Sequence, residues 1–184
     1  MRIVGGETRG RRLVSPATLS IRPTSDRLRE TLFDILLHRY SDPVTGARVL
    51  DLFAGTGALG LEALSRGADF ALFVEEDATA RGLIRRNIET VGATGTTKVY
   101  RRDATRLGAL SGLAPFSLVF ADPPYAKGLG ERALSAALGG GWLTPEALCI
   151  LEERRSAEIA EIEGLEVCET RPVGESQLVF LKRL

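Results

Sequence analysis

The stretch "VLDLFAGTGALG", residues 49–60, decides the fold. Val49 to Leu52 is an apolar run broken by one acid, Gly55 and Gly57 make a tight turn, and the continuation rich in Ala and Leu has helical spacing. A strand, a Gly-rich turn and a helix in succession open a parallel βαβ unit. Gly55, Gly57 and Gly60 also satisfy G-x-G-x-x-G, the pattern of dinucleotide sites. Alone that pattern is weak, because any close strand-to-helix turn favours glycine for packing.

The same alternation continues downstream. "FALFVEE" (70–76), "TKVYRRD" (97–103), "FSLVFADPP" (116–124) and "ALCILEE" (147–153) read as strands, while "ATARGLIRRNIETVG" (78–92) and "GERALSAAL" (130–138) read as helices. Apolar runs without polar alternation, separated by helices, predict a mostly parallel sheet covered on both faces. The fold class is therefore α/β, a doubly wound, Rossmann-like sheet. The tail "GLEVCETRPVGESQLVFLKRL" (164–184) holds two strand-like runs joined by "GES", so an antiparallel hairpin closes the sheet. Upstream, "MRIVGGETRGRRLVSP" (1–16) reads as a short β-hairpin ended by Pro16. "RPTSDRLRETLFDILLHRY" (22–40) reads as a helix capped by Thr24 or Ser25, with Leu28, Leu32, Ile35 and Leu36 on one stripe. "SDPVTG" (41–46) breaks the pattern, dividing an N-terminal extension, residues 1–46, from a main domain, residues 47–184.

Composition narrows the function classes. With 184 residues, 44% hydrophobic and 26% charged, the chain matches an ordinary globular domain with a real core. No apolar run approaches the ~18 residues of a membrane span, and the first residues lack a secretory pattern. Cys149 and Cys168 lie in separate apolar segments and read as buried free thiols, consistent with a reducing cytoplasm. One histidine, His38, and no cysteine cluster argue against a zinc site, and no metal is expected. Net charge is zero, yet residues 1–30 carry Arg2, Arg9, Arg11, Arg12, Arg22, Arg27 and Arg29 against Glu7, Asp26 and Glu30, a local balance of +4. Arginine is the cation best shaped for bidentate phosphate contact, so nucleic acid is a candidate partner despite the neutral total.

Acids at successive strand ends point to the ligand. Asp51 precedes the glycine loop, Glu75 ends the next strand, and Asp103 follows the third. The carboxyl ends of the strands are where open α/β sheets bind ligands, and an acid at the position of Glu75 hydrogen-bonds ribose hydroxyls. A negative side chain beside the loop repels a pyrophosphate but suits the ammonium and sulfonium of S-adenosylmethionine.

The fourth strand ends in Asp122-Pro123-Pro124-Tyr125. An amine on a nucleobase is a poor nucleophile because its lone pair is delocalised into the ring. A carboxylate and a backbone carbonyl accepting its N–H bonds orient the nitrogen toward a methyl donor and stabilise the charge that develops on it. The prolines stiffen these acceptors, and Tyr125 offers a face on which a splayed-out base stacks.

"DLFAGTGALG" with "DPPY" resembles class I S-adenosylmethionine-dependent methyltransferases of exocyclic amines. Together with "RIVGGETRGRRL", "RPTSDRLRETLFDIL" and "GWL" (141–143), the chain is similar over nearly its whole length to the bacterial small-subunit ribosomal RNA guanine-N2-methyltransferase family. The resemblance implies that Asp51, Phe53, Gly55, Thr56 and Gly57 surround the methionine part of the cofactor, Glu75 the ribose, and Asp103 and Ala104 the adenine. It gives the target guanine to Asp122, Pro123, Pro124 and Tyr125, and RNA contact to the N-terminal arginines Arg9, Arg11 and Arg12. Arg22 and Arg27 are assigned to RNA too, and for them and Arg29 covering the cofactor or pairing with Asp26 and Glu30 on a helix face stand as alternatives. Small-subunit ribosomal RNA in an assembled or partly assembled particle is the implied partner, and the cytoplasm the implied compartment.

Three rivals stand beside this reading. A DNA enzyme methylating adenine or cytosine amines shares D-P-P-Y but needs a target-recognition region for which 184 residues leave little room. A nicotinamide-dependent dehydrogenase explains the glycines and Glu75 and leaves Asp122 to Tyr125 without a task. A non-catalytic RNA-binding module does not require three acids facing a cofactor.

Overall fold

The apolar runs become seven strands of a single sheet. The computed structural model describes residues 1–16, 25–125 and 127–184. In chain order the elements are α1 (Asp26–Arg39), β1 (Arg48–Leu52), α2 (Ala58–Ser65), β2 (Phe70–Val74), α3 (Ala78–Val91), β3 (Thr97–Tyr100), β4 (Phe116–Ala121), α4 (Leu129–Gly139), β5 (Leu143–Arg154), β6 (Leu165–Val173) and β7 (Ser176–Arg183). The strand order is β3-β2-β1-β4-β5-β7-β6. β1 pairs in parallel with β2 and β4, as do β2 with β3 and β4 with β5, whereas β7 runs antiparallel to both β5 and β6. The chain winds outward from β1 to β3 and then returns to β4 on the other side, so the topological switch point lies between β1 and β4.

Side-chain alternation along these strands builds two cores. Val49, Ala71, Phe73, Leu118, Phe120 and Ile150 face the layer of α1, α2 and α3, while Leu50, Leu52, Leu72, Val119 and Ala121 pack toward α4. Both faces are covered, which is why the strands read as uninterrupted apolar runs. The closing hairpin turns at Gly174-Glu175, and the positive φ of 60° at Gly174 is what the first position of such a two-residue turn demands.

Several boundaries differ from expectation. α1 begins at Asp26 under a Ser25 cap whose Oγ accepts from the Leu28 N–H at 3.1 Å; Thr24, the other candidate cap, lies outside the described residues. β5 starts at Leu143, earlier than residue 147, and pairs there with Phe116 ahead of a register shift against β4 between Phe116 and Leu118. The N-terminal segment turns back on itself through the antiparallel bridge of Arg2 with Arg12 and through hydrogen bonds from Ile3 N–H to the Arg11 carbonyl, Gly10 N–H to the Ile3 carbonyl and Leu13 N–H to the Met1 carbonyl at 2.9, 2.9 and 3.1 Å. Other backbone donors of the segment turn to α2: Val4 and Gly5 N–H donate to the Glu62 carboxylate at 2.9 and 2.8 Å, and Glu7 N–H to the Ser65 carbonyl at 2.7 Å. Cys149 is buried on β5, and burial pushes its thiol up to about 12. Cys168 is exposed, contrary to expectation, because β6 forms the sheet edge and residues 166–168 face outward. Among the described residues no helix is long and apolar enough to cross a membrane.

Candidate active site

Strand register assembles the site. The last parallel rungs pair Leu52 with Val74 and with Ala121, and Ala121 with Leu151. One step further along these four strands stand Glu75, Phe53, Asp122 and Glu152, a row across the carboxyl ends of β2, β1, β4 and β5. Odd and even positions alternate between layers, so Glu75, Asp122 and Glu152 continue the parity of the face covered by α1, α2 and α3, whereas Phe53, past the end of β1, packs against the core on the α4 side. A cleft of about 1540 Å³ opens there, lined by these four residues, by Arg27, Leu28 and Thr31 of α1, and by Pro172 to Ser176 at the closing hairpin. That is more than the ~300–1,000 Å³ of a pocket for one small ligand.

The glycine loop forms one wall. Phe53 takes a left-handed φ of 58°, a conformation that costs a bulky side chain of order 1–3 kcal/mol and that clusters at ligand sites. Gly57, at φ 79°, caps α2, and Gly60 allows α2 to lie against the sheet: a Cβ there would stand 2.5 Å from the Phe73 ring. The Gly60 N–H donates to Asp51 Oδ2 at 3.0 Å. Asp51 is 1% exposed, lies within β1 rather than at its end, and reaches the cleft from beneath the loop. Burial pushes its carboxyl up to about 8, opposed by the Gly60 N–H and assisted by the charge of Glu75. Glu75 braces the loop, with Oε2 accepting from Gly55 N–H at 2.9 Å and Oε1 from Asp77 N–H at 2.8 Å. Each carboxylate oxygen has a second lone pair for a ligand hydroxyl.

The other wall is the Asp122 turn. Asp122 is half-buried, Pro123 buried, Pro124 exposed and Tyr125 half-buried. The Tyr125 hydroxyl donates to Glu152 Oε1 at 2.8 Å and lies 2.8 Å from Ser176 Oγ, which is itself 3.1 Å from the same Oε1. Burial pushes the Tyr125 hydroxyl up to about 12, lowered by the Ser176 hydrogen bond and raised again by Glu152 and Asp122. The Arg154 guanidinium lies 6.0 Å from the Tyr125 ring.

Of the residues expected at the site, Asp51, Phe53, Gly55, Thr56, Glu75 and Asp122 to Tyr125 line this one cleft. Gly57 is not among its lining residues and acts through the loop's shape. Asp103 and Ala104 are not among its lining residues either. Asp103 Oδ1 accepts from Thr105 N–H at 2.8 Å and from its hydroxyl at 2.7 Å, capping the 3₁₀ turn Ala104–Arg106, and the Thr105 bonds hold its carboxyl below the usual range. Ala104, the first residue of that turn, is buried. Arg9, Arg11 and Arg12 are exposed on the N-terminal segment, Arg27 is exposed at the cleft, and Arg22 lies outside the described residues. Arg29 is a structural residue, fully buried, donating from Nη2 to Asp26 Oδ1 at 2.7 Å and also to the Arg2 carbonyl.

Sequence reasoning missed Glu152, Ser176, Asp77 and Arg86, which line the cleft, and the buried Asn87. Asn87 ties the glycine loop to the N-terminal segment, donating from Nδ2 to the Thr56 and Val14 carbonyls at 2.9 and 3.1 Å and accepting from Val14 N–H at 2.6 Å. The one available signal was an acid ending an apolar run, Leu151-Glu152, the mark that also singled out Glu75.

Comparison with known proteins agrees with this architecture. The family described as Conserved hypothetical protein 95 matches residues 1–182. Ribosomal RNA small subunit methyltransferase D of Escherichia coli K12 is 42% identical over 152 residues, covering 83% of this chain and 74% of that protein. The protein of the same name from Haemophilus influenzae is 32% identical over 176 residues, covering 95% and 89%. The solved structure of the hypothetical protein TTHA0928 from Thermus thermophilus superimposes with a TM-score of 0.75 at 33% identity, covering 100% of this chain and 99% of that one. The fold, the glycine loop with its row of strand-end residues and these likenesses together show that the chain belongs to the class I methyltransferase family that contains ribosomal RNA small subunit methyltransferase D.

Proposed function

We propose that this protein transfers a methyl group from S-adenosylmethionine to the exocyclic 2-amino group of one guanine in small-subunit ribosomal RNA. The observation that carries the reading is the placement of Asp122 to Tyr125 beside the glycine loop in one cleft. The names of the relatives support ribosomal RNA as the substrate.

The donor set fits the cofactor. Asp51, Glu75 and Asp77 around the glycine loop suit a ligand with cationic groups and ribose hydroxyls, and disfavour a pyrophosphate. When bound, S-adenosylmethionine supplies a methyl group activated by its sulfonium. The chain's own task is positioning. The Asp122 carboxylate and the carbonyls of the proline turn accept the amine's N–H bonds, so the lone pair is turned toward the loop. Positive charge developing on the nitrogen is stabilised by the same carboxylate, and the methylated amine then loses its proton to water. The Tyr125 ring, held by its hydroxyl, provides the stacking face. Residues 1–46 add the RNA-contacting arginines Arg9, Arg11, Arg12 and Arg27, with Arg22 assigned there on sequence alone.

The test supplies methyl-labelled S-adenosylmethionine and purified protein to small subunits, and to deproteinised RNA, from a strain lacking the gene. Label on one guanine N2, stronger on the particle, is the expected result. Asp122→Ala is expected to lower kcat at least ~100-fold with unchanged S-adenosylhomocysteine affinity. Label on adenine, cytosine or protein, or a variant within ~10-fold of wild type, contradicts the reading.

A further inference from the structure

We propose that Glu152 is the residue that selects guanine, by accepting the N1–H of the target base next to the amine held by Asp122. The inference rests on the amino-methylation reading above and adds the group that identifies the base.

Glu152 is 6% exposed and lines the cleft. Its two oxygens are used unequally. Oε1 lies in a triangle with the Tyr125 and Ser176 hydroxyls, whose two protons suffice to anchor it. Oε2 is buried and has no hydrogen-bond partner among the described residues. An acceptor left this way costs about 1–3 kcal/mol, and native structures retain such atoms where they have work to do. The residue stands in register beside Asp122, one step beyond the Ala121–Leu151 rung. Two carboxylates thus flank the position of the base. The terminal torsion of a glutamate is soft, so Oε2 can turn to a base in the cleft while Oε1 keeps its hydroxyl.

The chemistry of the bases then decides. Guanine alone presents an N–H donor, N1–H, adjacent to an exocyclic amine. Adenine places the N1 lone pair beside its amine, and cytosine the N3 lone pair. An amine on Asp122 therefore brings a donor to Glu152 when the base is guanine and a lone pair when it is adenine or cytosine. A carboxylate facing a lone pair is repelled and left unpaired, and sites built on a required hydrogen bond reject analogues strongly for this reason.

The decisive substrate is small-subunit RNA assembled by ligation, with the mapped target guanine replaced by 2,6-diaminopurine. That base keeps the 2-amino group and stacking surface but offers a lone pair at N1. Wild-type protein is expected to prefer guanine by ~100-fold or more in kcat/KM. In Glu152→Gln the amide can turn its carbonyl oxygen toward the guanine N1–H or its NH₂ toward the N1 lone pair of 2,6-diaminopurine, so the preference should fall below ~10-fold. Glu152→Ala should also compress it. S-adenosylhomocysteine binding shows which variants keep the cofactor half intact, and the wild-type ratio is readable without any variant. A residue that only braces Tyr125 would slow both substrates alike, so an unchanged ratio in the variants, or a wild-type ratio within ~3-fold, overturns the assignment. Failure of wild-type protein to label any guanine instead overturns the underlying reading.

Discussion

Asp51 is an acid closed within the sheet, with Gly60 N–H as its donor and Glu75 as a charged neighbour. Its carboxyl rises from 3.8 to about 8, first because burial disfavours the charge. The folded protein therefore keeps a proton that the unfolded chain has lost by neutral pH. This contribution to stability is complete below the unfolded value and disappears as pH rises through the folded one. Asp51→Asn should remove that slope, so urea midpoints of the variant gain on wild type from pH 4 toward pH 8. The same proton links to the cofactor. A cationic ligand beside Asp51 favours the carboxylate, so binding at pH 7 should release up to about one proton. Calorimetry in buffers of different ionisation heat reads this directly for S-adenosylmethionine. Buffer-independent heat in wild type, or equal release in the Asn variant, sinks the linkage.

At the scale of elements, the N-terminal segment is held to α2 by a backbone approach only glycine permits. Gly6 sits at φ 79°, and a Cβ there would stand 1.9 Å from the Ser65 carbonyl oxygen. Backbone on backbone cannot yield as a side-chain tip can. Gly6→Ala should therefore undock the segment, costing about 1–3 kcal/mol. Hydrogen exchange should rise at Val4, Gly5, Glu7 and Thr8, whose N–H groups bond to α2, while β1 and β4 stay protected. Unchanged exchange at these amides would show that the segment is anchored elsewhere. This docking was invisible in the sequence, because nothing in the local pattern marks Glu62, which is fully buried, as the acceptor for a segment some 57 residues upstream. The parallel strands were legible for the opposite reason: both their faces are covered, so their apolar runs are continuous. β5 was placed late because Thr144, Pro145 and Glu146 interrupt its apolar run at the register shift. Half of the candidate site could be read, since Asp51, Glu75 and Asp122 announce themselves near motifs. Glu152 and Ser176 could not, because their meeting with Tyr125 depends on β5 and β7 becoming neighbours, which no local pattern encodes.

For the whole molecule, a net charge of zero conceals a strong polarity: residues 1–30 carry +4 and the remainder the compensating acids. The exposed Arg9, Arg11 and Arg12 lie on the segment docked against α2, and Arg27, Arg86, Arg154 and Arg155 are exposed at or near the cleft. Phosphate contacts release condensed counterions, each steepening the dependence of log K on log salt by about 0.7–0.9. Replacing Arg9, Arg11 and Arg12 together with Ala should thus flatten the slope by about 2–3 if all three meet phosphate. Affinity for small subunits should fall most at low salt, while S-adenosylhomocysteine binding and the thermal midpoint stay close to wild type. Titrations between 50 and 200 mM salt, roughly the range over which this effect is large, provide the measurement. A slope unchanged in the triple variant would move the RNA footprint to the arginines around the cleft. Ala at Arg86 and Arg155 would then be expected to carry the loss, and the N-terminal segment would be a brace for the glycine loop, acting through Asn87, with no share in the RNA contact.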